Sequence, residues 1–158
     1  MNRTKNDLAL STRKKVCDLL DPLLVDAVDL YTRCKDAHWN VKGPSFAALH
    51  ELFDEIATDV LVYADDLAER MVELGGTAEA TARDVAKKSS LAPAKKKAAK
   101  WQDHVERVAG ALASFGGSVR TGIDEAAKLG DADAADLLTE ISRGVDKWLW
   151  QVEAHLEK

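Results

Sequence analysis

The sequence predicts an all-α protein, built as a bundle of four long helices in a single domain. Apolar residues recur at helical spacing in four long stretches, and glycine, proline or serine interrupts the chain between them. No stretch alternates apolar and polar residues as a half-exposed strand does. With 158 residues, 46% of them hydrophobic, the chain can bury a core as one bundle.

Composition excludes several classes of protein. No apolar run reaches the ~20 residues that cross a membrane, and the first residues lack the apolar core of a signal peptide. Cys17 and Cys34 are too few for a disulfide framework or a zinc site, so we expect two reduced thiols in a cytoplasmic protein. The net charge of −5 argues against a protein that coats nucleic acid with its whole surface.

The first fifteen residues predict a basic tail, and residues 16–158 form the bundle domain. The tail holds a single acid, Asp7, against five cations: Arg3, Lys5, Arg13, Lys14 and Lys15. A basic tail can bind phosphate backbones without sequence preference. The alternative is a solvated tail with no such role.

The first helix is predicted over residues 11–38. Pro22 either restarts or kinks it. His38 ends its apolar stripe, so we expect that side chain to face a packed neighbour, and Trp39 is expected in the core by default. The stripe consists of residues three or four apart: Leu20, Leu23, Leu24, Ala27, Leu30, Tyr31, Cys34 and His38.

The second helix is predicted over residues 46–74, after a break at 42–45 and before Gly75-Gly76. His50 and Asp54 are four residues apart in it, and so are Asp65 and Glu69, which places each pair on one helix face. Imidazole and carboxylate ligands suit iron, manganese or zinc. The alternative is that the acids are solvated, although the helix is apolar on much of its circumference.

The two pairs cannot hold one small metal centre within one helix. Asp54 and Asp65 are eleven residues apart, which is roughly 16 Å along a continuous helix. A two-fold axis near Asp59 and Val60 would bring each pair of one chain to the other pair of a second chain. The sequence therefore predicts two half-sites completed by dimerisation.

The rest of the chain supplies a long connection and two more helices. In residues 77–100 a short helix is possible around 78–86. Six lysines lie between residues 85 and 100, and this stretch is either a solvated connection or a second patch that contacts DNA. A third helix is predicted over 101–128 and a fourth to about residue 156, capped by Asp131 or Asp133. Ordinary di-iron bundles use a Glu that is followed by His three residues later. This sequence contains no such pair.

Three runs of residues resemble the Dps family, the DNA-binding proteins from starved cells, which are ferritin-like mini-ferritins of twelve subunits. They are A-H-W-N-V-K-G-P-S-F at 37–46, L-H-E-L-F-D-E at 49–55 and A-D-D-L-A-E-R at 64–70. The family's ferroxidase pattern is His, a second His twelve residues later, Asp four later, Asp eleven later and Glu four later. The resemblance therefore implies a mono-iron or di-iron site, shared between two subunits, with these ligands: His38, His50, Asp54, Asp65 and Glu69.

The resemblance implies a function as well as a site. Fe(II) would be oxidised with hydrogen peroxide, or more slowly with O₂, and Fe(III) stored in a hollow 12-mer, which protects DNA from oxidative damage. Trp39 would absorb oxidising equivalents beside the site, and Glu51 and Glu55 would nucleate mineral. Aspartates of the fourth helix would line three-fold pores, although acids at a helix start also serve as caps: Asp131, Asp133 and Asp136.

The alternative function is non-specific DNA binding and compaction by a nucleoid-associated protein. The metal sites would then mainly hold the dimer together, and the basic tail would contact DNA. In the Dps family, DNA binding often depends on a basic N-terminal extension, and this one is short.

Overall fold

The computed structural model describes residues 1–93 and 97–156, and these form helices joined by turns, with no strand among them. The all-α prediction and the short helix in the long connection are confirmed. No helix in the described ranges combines the length and apolar character that crossing a membrane requires. The helices, in chain order, are α1 (Leu10–Asn40), α2 (Phe46–Glu73), α3 (Ala82–Lys88), α4 (Trp101–Leu129) and α5 (Ala132–Glu153).

Several helix boundaries differ from the sequence prediction. Helix α1 begins at Leu10, so Arg13, Lys14 and Lys15 lie within the bundle rather than in a tail ahead of it. Helix α3 begins at Ala82, because Thr81 and Asp84 exchange hydrogen bonds between side chain and backbone in a capping box. Pro22 lies inside α1 without ending it.

The segment ahead of α1 packs on the end of α2. The Asn2 backbone N–H donates to the Gly75 carbonyl, and the Arg13 guanidinium donates to the carbonyls of Leu8 (3.0 Å) and Leu74 (2.9 Å). Gly75 has a φ of +86°, and a Cβ there would lie 2.7 Å from the Asn2 carbonyl oxygen. Only glycine fits this close approach. The segment is therefore packed against the end of α2 and is not a free tail.

The core lies where helix pairs α1/α2 and α4/α5 pack together, with α1 also against α4. Large apolar side chains from all four long helices fill it, which buries most of the apolar stripes that the sequence predicts. The fully buried ones include Leu20, Leu30, Phe53, Ile56, Leu112, Phe115, Leu138 and Ile141.

The long connection is tied to the middle of α1. Asp26 is buried, and its carboxylate accepts hydrogen bonds from the Ser90 backbone N–H (2.7 Å) and the Ser89 hydroxyl (3.1 Å). The Arg33 guanidinium donates to the Leu91 carbonyl at 2.8 Å. These contacts satisfy a buried carboxylate and hold the connection along the bundle.

A buried ion pair joins the end of α2 to the start of α5. Asp131 is 2% exposed; its carboxylate accepts from the Ala134 backbone N–H (3.0 Å) and from the Arg70 guanidinium (2.7 Å). The capping role that the sequence predicted for Asp131 is confirmed. The ion pair fixes the relative position of the two helices.

Replacing Arg70 by methionine should lower the free energy of unfolding by roughly 3 kcal/mol, because the Asp131 charge stays buried without its cation. Adding Asp131→Asn removes that charge but keeps a capping side chain, so the double variant should regain part of the loss. Chemical denaturation measures both changes.

Arg120→Met is the matched control, because its ion pair with Asp146 is about half exposed on both sides. That change should cost less than about 1 kcal/mol. Equal losses of unfolding free energy for Arg70→Met and Arg120→Met would show that the buried pair contributes no more to stability than the exposed one.

Candidate metal centre

Two imidazoles stack at the end of the bundle where α1 turns into α2. His38 lies in the last turn of α1 and His50 in the first turns of α2. Their ring centroids are 3.7 Å apart with an angle of 18° between the planes. The turn between the helices includes Gly43, whose φ of +124° favours glycine, and a Cβ there would lie 3.1 Å from the Trp101 ring.

Each imidazole donates a hydrogen bond to the backbone of the other residue. His38 Nδ1 lies 2.6 Å from the His50 carbonyl oxygen, and His50 Nδ1 lies 2.8 Å from the His38 carbonyl oxygen. A carbonyl can only accept, so each Nδ1 carries a proton. In the neutral rings both Nε2 atoms therefore keep a free lone pair, which is the form in which histidine binds a metal.

A third ring extends the stack. Phe46 stacks on His50 with centroids 5.0 Å apart and an angle of 29° between the rings. The hydrogen bonds and the two flanking rings restrict the rotation of His50. The imidazoles are thus positioned before any metal binds.

Asp54 lies one helical turn after His50 and borders the same hollow. Its Oδ1 accepts a hydrogen bond from the Lys35 ammonium, and this bond is the main reason that the pKa of Asp54 is below its usual value. Asp54 is therefore a carboxylate at neutral pH, as a metal ligand must be. The hollow, of about 530 Å³, is lined by His38, Phe46, Ala47, His50, Glu51, Asp54, Glu55 and Thr58.

The second predicted pair stands apart from the first. Asp65 and Glu69 are exposed further along α2. Within residues 1–93 and 97–156 of the single chain, no three side chains of the His, Cys, Asp or Glu type converge as a metal site would need. His38, His50 and Asp54 border one hollow without converging on a single point, and Asp65 and Glu69 are exposed to solvent.

Exposed apolar side chains lie on α2 between the two pairs. Leu61 and Val62 are 51% and 52% exposed, and Val72 near the helix end is 55% exposed. By helical spacing Leu61 lies on the same face as His50, Asp54 and Asp65. This face of α2 thus has potential ligands on both sides of an apolar centre.

The other predicted site residues take varied positions. Trp39 is 69% exposed, so the expectation that it lies in the core is wrong; α1 has only one residue left, and its ring faces outward. Glu51 and Glu55 are exposed and line the hollow of the half-site. Asp133 and Asp136 are exposed, whereas Asp131 is occupied by its cap and ion pair and does not line an open surface.

The cations considered for DNA binding differ in whether their side chains are exposed or already hydrogen-bonded. Arg3, Lys5, Lys14 and Lys15 are exposed, but Arg13 is committed to backbone carbonyls. Of the six lysines in the long connection, those at 95 and 96 lie outside the described residues.

Sequence reasoning missed two contributors to the half-site, Lys35 and Phe46. Lys35 precedes His38 by three residues, which places both on one side of α1. That spacing could have marked Lys35 as a neighbour of the site. Its pairing with Asp54 depends on how α1 and α2 pack, which spacing alone does not determine.

Comparison with known proteins agrees with this architecture. The model of the ferritin-like domain family matches residues 17–158. The chain is 36% identical over 157 residues to the DNA protection during starvation protein of Agrobacterium fabrum, covering 99% of this chain and 97% of that one. It is 33% identical to the protein of the same name from Brevibacillus brevis, covering 93% and 98%.

Solved structures show the same fold. DpsC from Streptomyces coelicolor superposes with a TM-score of 0.94 at 27% identity, covering 99% of this chain and 92% of that one. A Dps structure from Mycobacterium smegmatis superposes with a TM-score of 0.93 at 30% identity, covering 99% and 96%.

The reciprocal hydrogen bonds predict the tautomer of both histidines. When His38 and His50 are neutral, each should be protonated at Nδ1, because a backbone carbonyl fixes the proton there. Solid-state ¹⁵N NMR of histidine-labelled protein measures this directly, and added Zn(II) should shift Nε2 rather than Nδ1. The His104→Gln and His155→Gln variants assign the other two rings. Protonation at Nε2 in either ring would contradict the arrangement.

Proposed function

The chain belongs to the Dps family of ferritin-like proteins, and from that premise we propose that it is an iron-sequestering ferroxidase. Fe(II) is its substrate, oxidised at sites shared between two copies, and Fe(III) is retained inside a hollow shell of twelve subunits, roughly 200 kDa. The observation that carries the proposal is the preset pair of imidazoles, His38 and His50, beside the carboxylate of Asp54.

The donor set of the half-site fits Fe(II). Both rings have committed Nδ1 to a carbonyl, so Nε2 is the available ligand atom of His38 and of His50. Asp54 contributes a carboxylate oxygen. Mixed imidazole and carboxylate ligands suit divalent first-row metals, and an open hollow leaves room for substrate.

A second copy would complete this half-site. An antiparallel two-fold axis between positions 59 and 60 of α2 sets His50 opposite the partner's Glu69 and Asp54 opposite the partner's Asp65. Each dimer then holds two equivalent sites, each with two imidazoles and three carboxylates. Each chain supplies His38, His50 and Asp54 to one site, and Asp65 and Glu69 to the other.

The same axis would also cover the apolar centre of the α2 face. It places Leu61 opposite the partner's Thr58, and Val72 opposite the partner's Ala47. Both exposed apolar side chains then meet a small or partly apolar neighbour instead of water. The register that pairs the ligands therefore also covers exposed apolar side chains.

The proposed chemistry is the one that the family resemblance implies. Two Fe(II) ions give one electron each to hydrogen peroxide; its O–O bond breaks, and two protons complete two water molecules. Transfer of both electrons avoids the single-electron step that releases hydroxyl radical. The residues of the chain bind and orient the iron, and carboxylates favour the harder Fe(III) product.

Other exposed residues serve the same function in this proposal. Glu51 and Glu55, beside the half-site, receive Fe(III) and nucleate mineral, and Trp39 absorbs oxidising equivalents. Asp133 and Asp136 line pores on the three-fold axes of the shell and attract Fe(II). The protein acts in the cytoplasm, where free iron and peroxide damage DNA.

Removal of iron and peroxide is favoured over DNA coating as the protective mechanism. The segment ahead of α1 is docked on α2, and Arg13 is used to hold it there. The remaining cations of that segment oppose a chain of net charge −5, so phosphate contacts would be weak and easily screened by salt. Iron chemistry needs no DNA contact.

Mixed oligomers test whether the ligands are shared. One variant carries Asp65→Asn and Glu69→Gln; the other carries His38→Gln, His50→Gln and Asp54→Asn. Each alone should lose peroxide-driven Fe(II) oxidation. With random pairing in an equal mixture, half of the dimers are mixed and each has one intact site, so about a quarter of the wild-type rate should return.

Absorbance of Fe(III) follows oxidation, and native mass spectrometry checks that subunits exchange. Mixtures of wild type with either variant calibrate the random pairing. Blends that exchange subunits and yet stay as inactive as either variant alone would refute the shared site.

The apolar centre of the α2 face has a separate test. Leu61→Glu should dissociate the two-fold dimer, because the axis would bring two added carboxylates close together in an apolar contact. Sedimentation velocity should show smaller species, and Fe(II) oxidation should fall at least about tenfold with the pairing. Leu10→Glu is the control, since Leu10 is 59% exposed at the far end of α1. A Leu61→Glu protein that assembles and oxidises iron normally would place the interface elsewhere.

A further inference from the structure

Lys35 places a cation directly on a proposed metal ligand. It lies one turn before His38 on α1, and its ammonium contacts Oδ1 of Asp54 on α2. Asp54 lines the hollow and is 48% exposed, whereas the Lys35 side chain, 21% exposed, contacts it from α1. Among the described residues, Asp54 is the one acid that pairs with this ammonium.

The electrostatic surroundings explain why a cation is held there. Glu51 and Glu55 line the same hollow as Asp54, so three acids of one chain border it. The histidine rings add donors without contributing negative charge. Lys35 therefore neutralises part of an acidic hollow, at the oxygen where a metal ion would bind.

We propose that Lys35 is the resident counter-ion of the metal-free site, and that a divalent cation displaces it from Asp54 on binding. This inference rests on the proposed function. Metal binding is then an exchange of one cation for another, in which the Asp54 carboxylate is never left without positive charge.

The two-fold arrangement gives this exchange a second consequence. Asp54 would meet the partner's Asp65 and the partner's Glu69, so three carboxylates would converge in the empty site. Like charges at such distances repel strongly. The Lys35 ammonium offsets part of this repulsion, which allows two copies to pair before metal arrives. A divalent ion offsets more of it, so metal binding also strengthens the pairing.

Lys35→Met separates this role from that of an ordinary structural ion pair. The change removes a positive charge that competes with the metal, so Zn(II), a redox-inactive probe, should bind at least about tenfold more tightly. It also removes the offset to carboxylate repulsion, so the metal-free dimer should dissociate at a higher protein concentration, and Zn(II) should restore pairing. Loss of a merely structural ion pair would lower the zinc affinity or leave it unchanged, so the zinc affinity distinguishes the two roles.

Isothermal titration calorimetry of the full-length, metal-stripped protein measures the zinc affinity, and sedimentation velocity with chelator or with zinc measures the pairing. Lys88→Met is the matched control, because the pair between Lys88 and Asp21 (3.6 Å) lies on α3 and α1 away from the hollow. It should leave zinc affinity unchanged. Lys35→Arg keeps the charge and should bind zinc like the wild type.

Each result decides the proposal. Tighter zinc binding by Lys35→Met, with weaker metal-free pairing that zinc rescues, supports it; Lys35→Gln replaces this variant if circular dichroism shows that methionine disturbs the helices. Unchanged or weaker zinc binding, while wild-type protein binds zinc and His50→Ala does not, overturns the exchange alone. Failure of the wild-type protein to bind zinc at all overturns the proposed site and the exchange with it.

Discussion

The hydrogen bonds that His38 and His50 exchange with each other's backbone carbonyls hold the end of the bundle on which the candidate centre depends. The His38 carbonyl is one of the last four of α1, which have no partner within their own helix. The His50 ring satisfies it at 2.8 Å. Capping of α1, closure of the turn and selection of Nε2 as the ligand atom are therefore one interaction, and removal of either ring would disturb all three.

The length of α2 makes assembly a condition of metal chemistry. A helix of 28 residues is stiff, and its rise keeps Asp54 and Asp65 roughly 16 Å apart. No bending within a packed core could close that gap. An isologous contact can close it twice, once at each end, and the exposed Leu61 and Val62 lie where such a contact would be centred. Burial of apolar surface would then supply affinity, while the acids set the register.

Sequence reasoning reached the parts of the site that depend on local periodicity. The spacing of His50 and Asp54 on one turn follows from helical geometry, and so does the separation of both from Asp65. It did not predict the features that depend on packing between helices. The Lys35 contact depends on how α1 and α2 pack, and the exposure of Trp39 depends on where α1 ends. No spacing rule encodes either.

The distribution of charge on the bundle links these observations to function. The acids proposed to bind iron are exposed, among them Glu51, Glu55 and Asp133. They can therefore attract a divalent cation from solvent. Asp131 lies close to Asp133 in sequence yet is withdrawn into a buried pair with Arg70, because the helix start needs a fixed cap. Burial thus separates acids that stabilise the fold from acids available to a cation. The same carboxylate chemistry serves both purposes, and local packing decides which one applies.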